Sequence, residues 1–407
     1  MRPLIVQKYG GSSLATSDKI KNVAYRLMKE KEKDVDLVVV LSAMGKTTDT
    51  LISLAQEISP RPCKRELDML LSTGEQVSVS LLSMAIKELG GQAISLNAMQ
   101  ANILTDSFHS ESQILDIDTQ RIKTHLQEGK IVIITGYQGL NKEKDITTLG
   151  RGGSDLSAVA LAVALKAQCC KILTDVSGVY TADPRIVSDA RCLKKITYEE
   201  MLELASMGAK VLHARSVELA QRYDLEVYVK SSFDEQNAGT LIEKDVKKME
   251  EITITGVALN KNEAKVTLVG VPDRPGMAAE VFTCLAEANI NIDIIIQNVS
   301  VEGFTDISFT VKEEDLHVTI LVSKEAVRDL EAKEVIFKKN VSKLTLVGVG
   351  MRRHSGIAAK MFRCLADKNI NIEMISTSEI KISCVIDQDK GDLAVQALHK
   401  AFELEKS

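Results

Sequence analysis

The strongest constraint on this chain is a duplication in its C-terminal part. Gly276–Ile295 (GMAAEVFTCLAEANINIDII) and Gly356–Ile375 (GIAAKMFRCLADKNINIEMI) agree at 12 of 20 positions. Each follows a matching apolar run, Lys265–Val271 (KVTLVGV) and Lys343–Val349 (KLTLVGV). Two copies are too few for a solenoid, whose repeats bury their faces only when three or more stack. Each copy reads strand, turn, helix, strand, and then a further strand: Asp306–Val311 in the first, Ile380–Ile386 in the second. A helix near Asp392–Phe402 closes the second copy. The pattern predicts two ferredoxin-like βαββαβ modules of about 70 residues each, side by side.

The remainder follows another rule. Strand-like runs at Leu4–Gln7, Leu37–Leu41, Ile131–Thr135, Lys171–Asp175 and Leu225–Lys230 alternate with helical patterns, notably Asp155–Ala167. Ile20, Val23, Ala24, Leu27 and Met28 mark one helix face, with Ser17 or Asp18 as its expected N-cap. Continuous apolar strands such as LVVVL belong in a parallel sheet covered on both faces, so the expected class is α/β. The charged stretch Glu243–Glu251 reads as a boundary. The expected domains are 1–245, a linker at 246–263, and modules at 264–340 and 341–407; a length of 407 residues accommodates two to three such domains.

Composition removes several classes of function. The net charge is −5, aromatic residues are 4% and Trp is absent, so neither a basic phosphate-binding face nor a base-stacking platform is expected, and no nucleic-acid partner. No uninterrupted apolar run approaches a membrane span, and MRPLIVQKYGG reads as a strand entering a loop rather than a targeting segment. Seven Cys form no CxxC pair, and no His stands at zinc-ligand spacing, so reduced thiols, no metal site and a cytoplasmic location are expected.

Four clusters sit where strands end, which is where open α/β sheets bind ligands. In Lys8-Tyr9-Gly10-Gly11-Ser12-Ser13, paired glycines expose backbone N–H groups to an anion and the Lys reaches a phosphoryl oxygen. The Lys precedes the glycines, so this is not a Walker loop, and a structural turn is an equal reading. Ser42–Asp49 (SAMGKTTD) is a second hydroxyl-rich turn in the equivalent place, equally readable as a helix cap. Thr147–Asp155 (TTLGRGGSD) flanks an Arg with three glycines, offering a planar fork for a carboxylate or phosphate. Thr174–Arg185 (TDVSGVYTADPR) gathers Asp, Tyr, Asp and Arg in one loop, able to frame a nucleotide. Together the clusters point to phosphoryl transfer onto a small anionic acceptor.

These motifs, with STGEQVS (Ser72–Ser78) and MGAKVLHARS (Met207–Ser216), resemble the aspartate kinases of the amino-acid-kinase superfamily. PDRPG (Pro272–Gly276) and NINIEMISTSEIKIS (Asn369–Ser383) resemble ACT regulatory modules. The resemblance covers nearly the whole chain, in order. It implies transfer from ATP to the side-chain carboxylate of L-aspartate, the first step toward lysine, threonine and methionine. Lys8 would bridge the β- and γ-phosphates, Gly10 and Gly11 would present N–H groups, and Asp155 would orient Lys8. Arg151 would pair with the substrate α-carboxylate and Glu75 with its ammonium. Thr47, Gly152, Gly153 and Ser154 would complete the acceptor cradle. Tyr9, Ser42, Thr174, Asp175, Tyr180, Asp183, Arg185 and Lys210 would surround ATP, and Mg²⁺ would arrive with the nucleotide.

The ACT pair implies feedback inhibition by lysine, threonine or both. The matching effector positions are Asp273, Gly276, Met277, Ala278, Asp293 and Gln297 in the first copy, and Asn371, Ile372 and Ser378 in the second. His354-Ser355-Gly356 replaces the first copy's Pro-Gly turn, so asymmetric effector use is expected. The assembly would be a homo-oligomer through the ACT modules, or α₂β₂ with an ACT-only subunit started internally at Met249. Two alternatives stand beside this reading: a kinase for glutamate or acetylglutamate, and a catalytically silent amino-acid sensor.

Overall fold

A computed structural model describes residues 2–206, 211–234, 237–244, 253–298, 303–349, 351 and 356–406. The described residues form two compact units, 2–179 with 192–206 and 211–244, and 180–191 with 253–406.

The first unit is built on strands β1 (Leu4–Tyr9), β2 (Asp36–Leu41), β3 (Ala93–Leu96), β4 (Ile103–Thr105), β5 (Ile114–Ile117), β6 (Ile131–Thr135), β7 (Gln138–Leu140), β8 (Ile146–Thr148), β9 (Cys169–Thr174), β10 (Lys195–Thr197), β11 (Val227–Ser231) and β12 (Thr240–Glu243). Its helices are α1 (Ser17–Lys31), α2 (Thr47–Ile58), α3 (Lys64–Leu71), α4 (Thr73–Glu88), α5 (Gln120–Gln127), α6 (Gly153–Leu165), α7 (Tyr198–Ser206) and α8 (Ala214–Tyr223). The main sheet has eight strands in the order β10-β12-β11-β9-β1-β2-β6-β3. All its pairs are parallel except β11–β12.

Successive side chains on a strand point to opposite faces, and both faces are covered. Ile5, Tyr9, Leu37, Val39 and Leu41 join α1 and α4 in one apolar core. On the other face lies α6, whose Ala- and Val-rich surface is buried nearly all round. A small second sheet, β5-β4-β7-β8, ends at the residues that precede the Arg151 loop. The cap of α1 is Thr16 rather than Ser17 or Asp18: Thr16 is the extended residue, and its hydroxyl accepts from the Lys19 N–H. Lys64–Glu88, covering α3 and α4, is the one helical stretch among the described residues long and apolar enough to cross a membrane; half of it is buried inside the unit.

The second unit contains β13 (Thr253–Pro272), α9 (Met277–Glu287), β14 (Ile295–Gln297), β15 (Phe304–Lys312), α10 (Leu316–Asp329), β16 (Glu334–Val349), α11 (Gly356–Asp367), β17 (Met374–Thr377), β18 (Lys381–Asp387) and α12 (Gly391–Ala401). Its single sheet has six strands, β14-β15-β13-β16-β18-β17. The two long strands each serve both modules. Lys265–Val269 pairs with the first half of β16, whereas Thr253–Asn260 pairs with its second half, Lys343–Val349. Register shifts separate the two stretches around Glu263.

This corrects the expected boundaries. Residues 253–260, expected as linker, supply the strand that module 341–407 lacks, so the first module is inserted into the second. The remaining linker residues 246–252 lie outside the described residues. Each module has its own apolar core, one around Val266, Leu285 and Phe309 and the other around Leu346, Met361 and Leu398.

Candidate active site

The site forms at the carboxyl ends of β1, β2 and β9. Lys8 and Tyr9 are adjacent on β1 and so face opposite sides. Lys8 points to α6, where its Nζ lies 2.7 Å from Asp155 Oδ1, both side chains nearly buried. Tyr9 points into the α1–α4 core at 2% exposure, its hydroxyl on Gln7 Oε1. Tyr9 therefore borders the cleft through its backbone, its carbonyl accepting from the Ser42 N–H.

Beyond Tyr9 the chain turns through Gly10 and Gly11. Gly10 N–H donates to Leu173 O on β9, and Gly11 O accepts from Gly45 N–H. The two turns expected to form the cradle are thus bonded to each other. A Cβ on Gly10 would stand 3.7 Å from the Lys8 ammonium, in space a phosphoryl oxygen would use. A Cβ on Gly11 would stand 2.7 Å from Ala43 O, closer than real contacts allow. Gly11→Ala is expected to push the two turns apart, costing about 1–3 kcal/mol in urea unfolding and reducing ATP affinity measured by calorimetry.

Glu75, in the first turn of α4, is 2% exposed. Its Oε1 accepts from the Ala43 N–H, and Oε2 has no partner among the described residues. Burial pushes its pKa up to about 8, against the opposing pull of backbone and Gln138 hydrogen bonds. A buried carboxyl with a free acceptor oxygen suits an incoming ammonium. Nearby, Thr47 opens α2 and donates to Met44 O, while Ser78 bonds both Ser42 O and Glu75 O.

The Arg151 loop connects β8 to α6. Gly150 and Gly152 take left-handed φ of 80° and 68°, and a Cβ at Gly152 would meet His213. Gly153 and Ser154 are buried at the start of α6, Ser154 against Gly136. Arg151 itself is exposed, with no partner among the described residues.

Three residues around this loop were not singled out from sequence. His213 precedes α8 with a buried, unpartnered Nδ1, and burial holds its pKa below the usual range, partly offset by Asp155. Arg215 donates to Leu149 O and Ser112 O. Asp68, fully buried, accepts from Thr148 N–H and Oγ1. The one available signal was an acid inside the apolar run of ELDMLL.

The fourth cluster spans both units. Thr174 and Asp175 end β9 beside Gly10, the Thr174 hydroxyl on Asp175 Oδ1. Tyr180, Asp183 and Arg185 belong to the other unit, because Ala182 and Val187 bury themselves in its second core. There Thr181 Oγ1 meets His399 Nε2 at 2.9 Å, and Arg185 forks onto Asp183. Lys210 lies outside the described residues. No group of three or more His, Cys, Asp or Glu among the described residues is placed to hold a metal ion.

Of the effector positions, Asp273, Gly276, Gln297, Asn371 and Ser378 are exposed and Ala278 and Ile372 half-buried. Gly276 caps α9 in the left-handed region, leaving open space where a Cβ would be. Met277 is a core residue, so only its backbone is available. Asp293 is paired with the buried Lys343 ammonium of the second copy. The expected contrast with His354-Ser355 falls outside the described residues.

The amino acid kinase family model matches residues 3–231, and an ACT domain model matches 266–327 and 344–402. The aspartate kinase of Pseudomonas putida is 50% identical over 403 residues, 99% of this chain and 98% of that protein. Aspartokinase 2 of Bacillus subtilis is 50% identical over the same shares. The crystal structure of E. coli aspartokinase III in complex with aspartate and ADP matches with a TM-score of 0.82 at 27% identity, covering 98% of this chain and 99% of that one. With Lys8, Asp155 and the glycine turns gathered at the strand ends and the likeness running end to end, the chain belongs to the aspartate kinase family of amino acid kinases with ACT domains.

Proposed function

We propose that this chain transfers the γ-phosphoryl group of ATP to the side-chain carboxylate of L-aspartate, giving ADP and 4-phospho-L-aspartate. The observation that carries this reading is the buried Lys8–Asp155 pair facing the Gly10-Gly11 turn. The nucleophile is the substrate's own carboxylate, ionised at pH 7, so no general base is needed. Lys8, held by Asp155, neutralises charge on the phosphoryl group as it moves between oxygens. The Gly10-Gly11 turn keeps the space beside the Lys8 ammonium free of side chains, its Gly10 N–H being engaged by Leu173 O, with Ser42, Thr174 and Asp175 bordering the nucleotide side.

Arg151, without a partner of its own among the described residues, takes the α-carboxylate in a two-pronged bond. Glu75 Oε2 takes the ammonium, and Thr47 and Ser154 lie along the acceptor side. Mg²⁺ bound to the phosphates would add further charge neutralisation, held mainly by phosphate and water oxygens. A cation and amides are what the chain offers here, and that donor set fits metal–nucleotide better than bare metal. The seven free thiols support a cytoplasmic enzyme.

The second unit is the regulatory part. Its effector, lysine or threonine, is a zwitterion, and the exposed Asp273 and the Gly276 turn at the α9 N-terminus suit its two charges. Both sheet edges, β14 and β17, carry an exposed isoleucine, Ile295 and Ile375. That supports assembly edge to edge through the ACT modules, whether as a homo-oligomer or in an α₂β₂ arrangement.

Hydroxylamine trapping of the acyl phosphate, with ATP, Mg²⁺ and either aspartate or glutamate, tests the reaction. Hydroxamate from aspartate alone is expected. Hydroxamate from glutamate, or none from folded protein, would overturn the assignment. Repeating the assay with lysine and with threonine identifies the effector.

A further inference from the structure

Asp68 lies in the middle of α3, has no solvent exposure, and belongs to none of the four clusters. Its two oxygens gather five donors. Oδ2 accepts from the Thr148 N–H at 3.2 Å and the Ser110 N–H at 3.0 Å, and meets His109 Nδ1 at 2.8 Å. Oδ1 accepts from the Thr148 hydroxyl at 2.6 Å and the Ser110 hydroxyl at 3.3 Å. A carboxylate is acceptor-only and has room for this many donors; no neutral side chain of its size does.

The partners are not scattered. Thr148 is the last residue of β8, three positions before Arg151. Ser110 belongs to the segment stacked on the same loop, where a Cβ at Gly150 would stand 3.2 Å from Ser110 O. Arg215 holds the loop from α8, donating to the carbonyls of Leu149 and Ser112 at 2.8 and 2.9 Å. The loop beyond these anchors contains Gly150, Gly152 and Gly153, which contribute no side-chain stiffness of their own, and it ends where α6 begins at Gly153. An Arg on a glycine loop has a defined position only if both ends of the loop are tied down.

We propose that Asp68 is a positioning residue for amino-acid binding: it fixes the entry to the Arg151 loop, and Arg215 holds the same entry at the Leu149 carbonyl. This deepens the kinase reading and rests on it for the identity of the acceptor. The device acts on the acceptor and leaves the nucleotide turn alone, since Gly10 and Gly11 are bonded to Leu173 and Gly45 instead.

Three variants test it. Asp68→Asn replaces an acceptor oxygen by a donor facing other donors. Thr148→Val keeps the side-chain shape and deletes only the hydroxyl, and Thr148→Ser keeps the hydroxyl. With misplacement of this order, KM for aspartate is expected to rise about tenfold or more in Asp68→Asn while KM for ATP stays within about twofold. Thr148→Val should show the same split in weaker form, and Thr148→Ser should match the parent. In parallel, amide exchange across residues 146–155 should accelerate in Asp68→Asn and Thr148→Val, with exchange in α6 beyond Ser157 unchanged.

Folded variants whose two KM values move together, or not at all, would overturn the proposal. So would unchanged exchange at 148–153. The exchange arm involves no turnover. If the parent protein forms no acyl phosphate from aspartate, the acceptor assignment falls, and exchange still decides whether Asp68 holds the loop.

Discussion

Lys8→Met is expected to lower kcat by about 10³-fold, read as acyl-hydroxamate formation at saturating ATP and aspartate. Negative charge shifts from the bridging oxygen of ATP to the phosphoryl group and then to its new partner. A fixed ammonium beside that path stabilises the transition state more than the ground state, whereas a thioether cannot. The change also strands Asp155, which is 10% exposed and then faces no cation. Removing one member of a buried ion pair costs about 3–5 kcal/mol of stability. The double variant Lys8→Met with Asp155→Asn removes the stranded charge. It should recover much of that stability in urea titration and none of the activity. Recovery of both together would show that Lys8 serves folding only.

Glu75→Gln should have the second largest effect, raising KM for aspartate by roughly 10- to 100-fold, the value of a charge-assisted hydrogen bond. The pH behaviour separates it from other substrate contacts. Without ligand, Glu75 holds its proton up to about pH 8. An ammonium bound to Oε2 favours the carboxylate, so aspartate binding near pH 7 should release up to about one proton. Calorimetry in two buffers of different ionisation heat measures this, and Glu75→Gln should release none.

Stability carries the same signature. In the unfolded chain this carboxyl ionises near 4.5, whereas the folded protein keeps it protonated until about 8. Stability present below pH 4.5 is therefore lost as pH rises toward 8, by roughly 5 kcal/mol at most. Glu75→Gln should not share that loss. Parallel stability–pH curves for the two proteins would mean that Glu75 titrates normally.

The sequence was informative where a residue's chemistry and its neighbours in the chain coincide. Lys8 with Gly10 and Gly11, and Arg151 with its glycines, are legible because the loop is continuous. The apolar runs of β2 and β6 announced a covered parallel sheet, and the duplicated NIN segments announced two related modules. For Tyr9 the sequence did not show which part of the residue meets the cleft: one position on from Lys8 along a strand, the side chain enters the other face and leaves only the backbone at the site. The Thr174–Arg185 run reads as one loop in the sequence, and Ala182 and Val187 pack its second half into a core of the other unit. Asp68 stayed unseen because its five donors come from residues some 40 and 80 positions away, and no local pattern records them.

The nested arrangement of the regulatory unit also dictates an order of manufacture. Thr253–Asn260 leaves the ribosome before any part of the first module, yet its hydrogen-bonding partner, Lys343–Val349, is translated only after that module is complete. The first module is contiguous in the chain and can close as soon as it emerges. The second must wait with one strand already made and its edge unpaired, the state in which a chain is most open to pairing with the wrong neighbour. Regulation is thus the last property the growing polypeptide acquires, and its completion depends on a segment that was among the first of the unit to be synthesised.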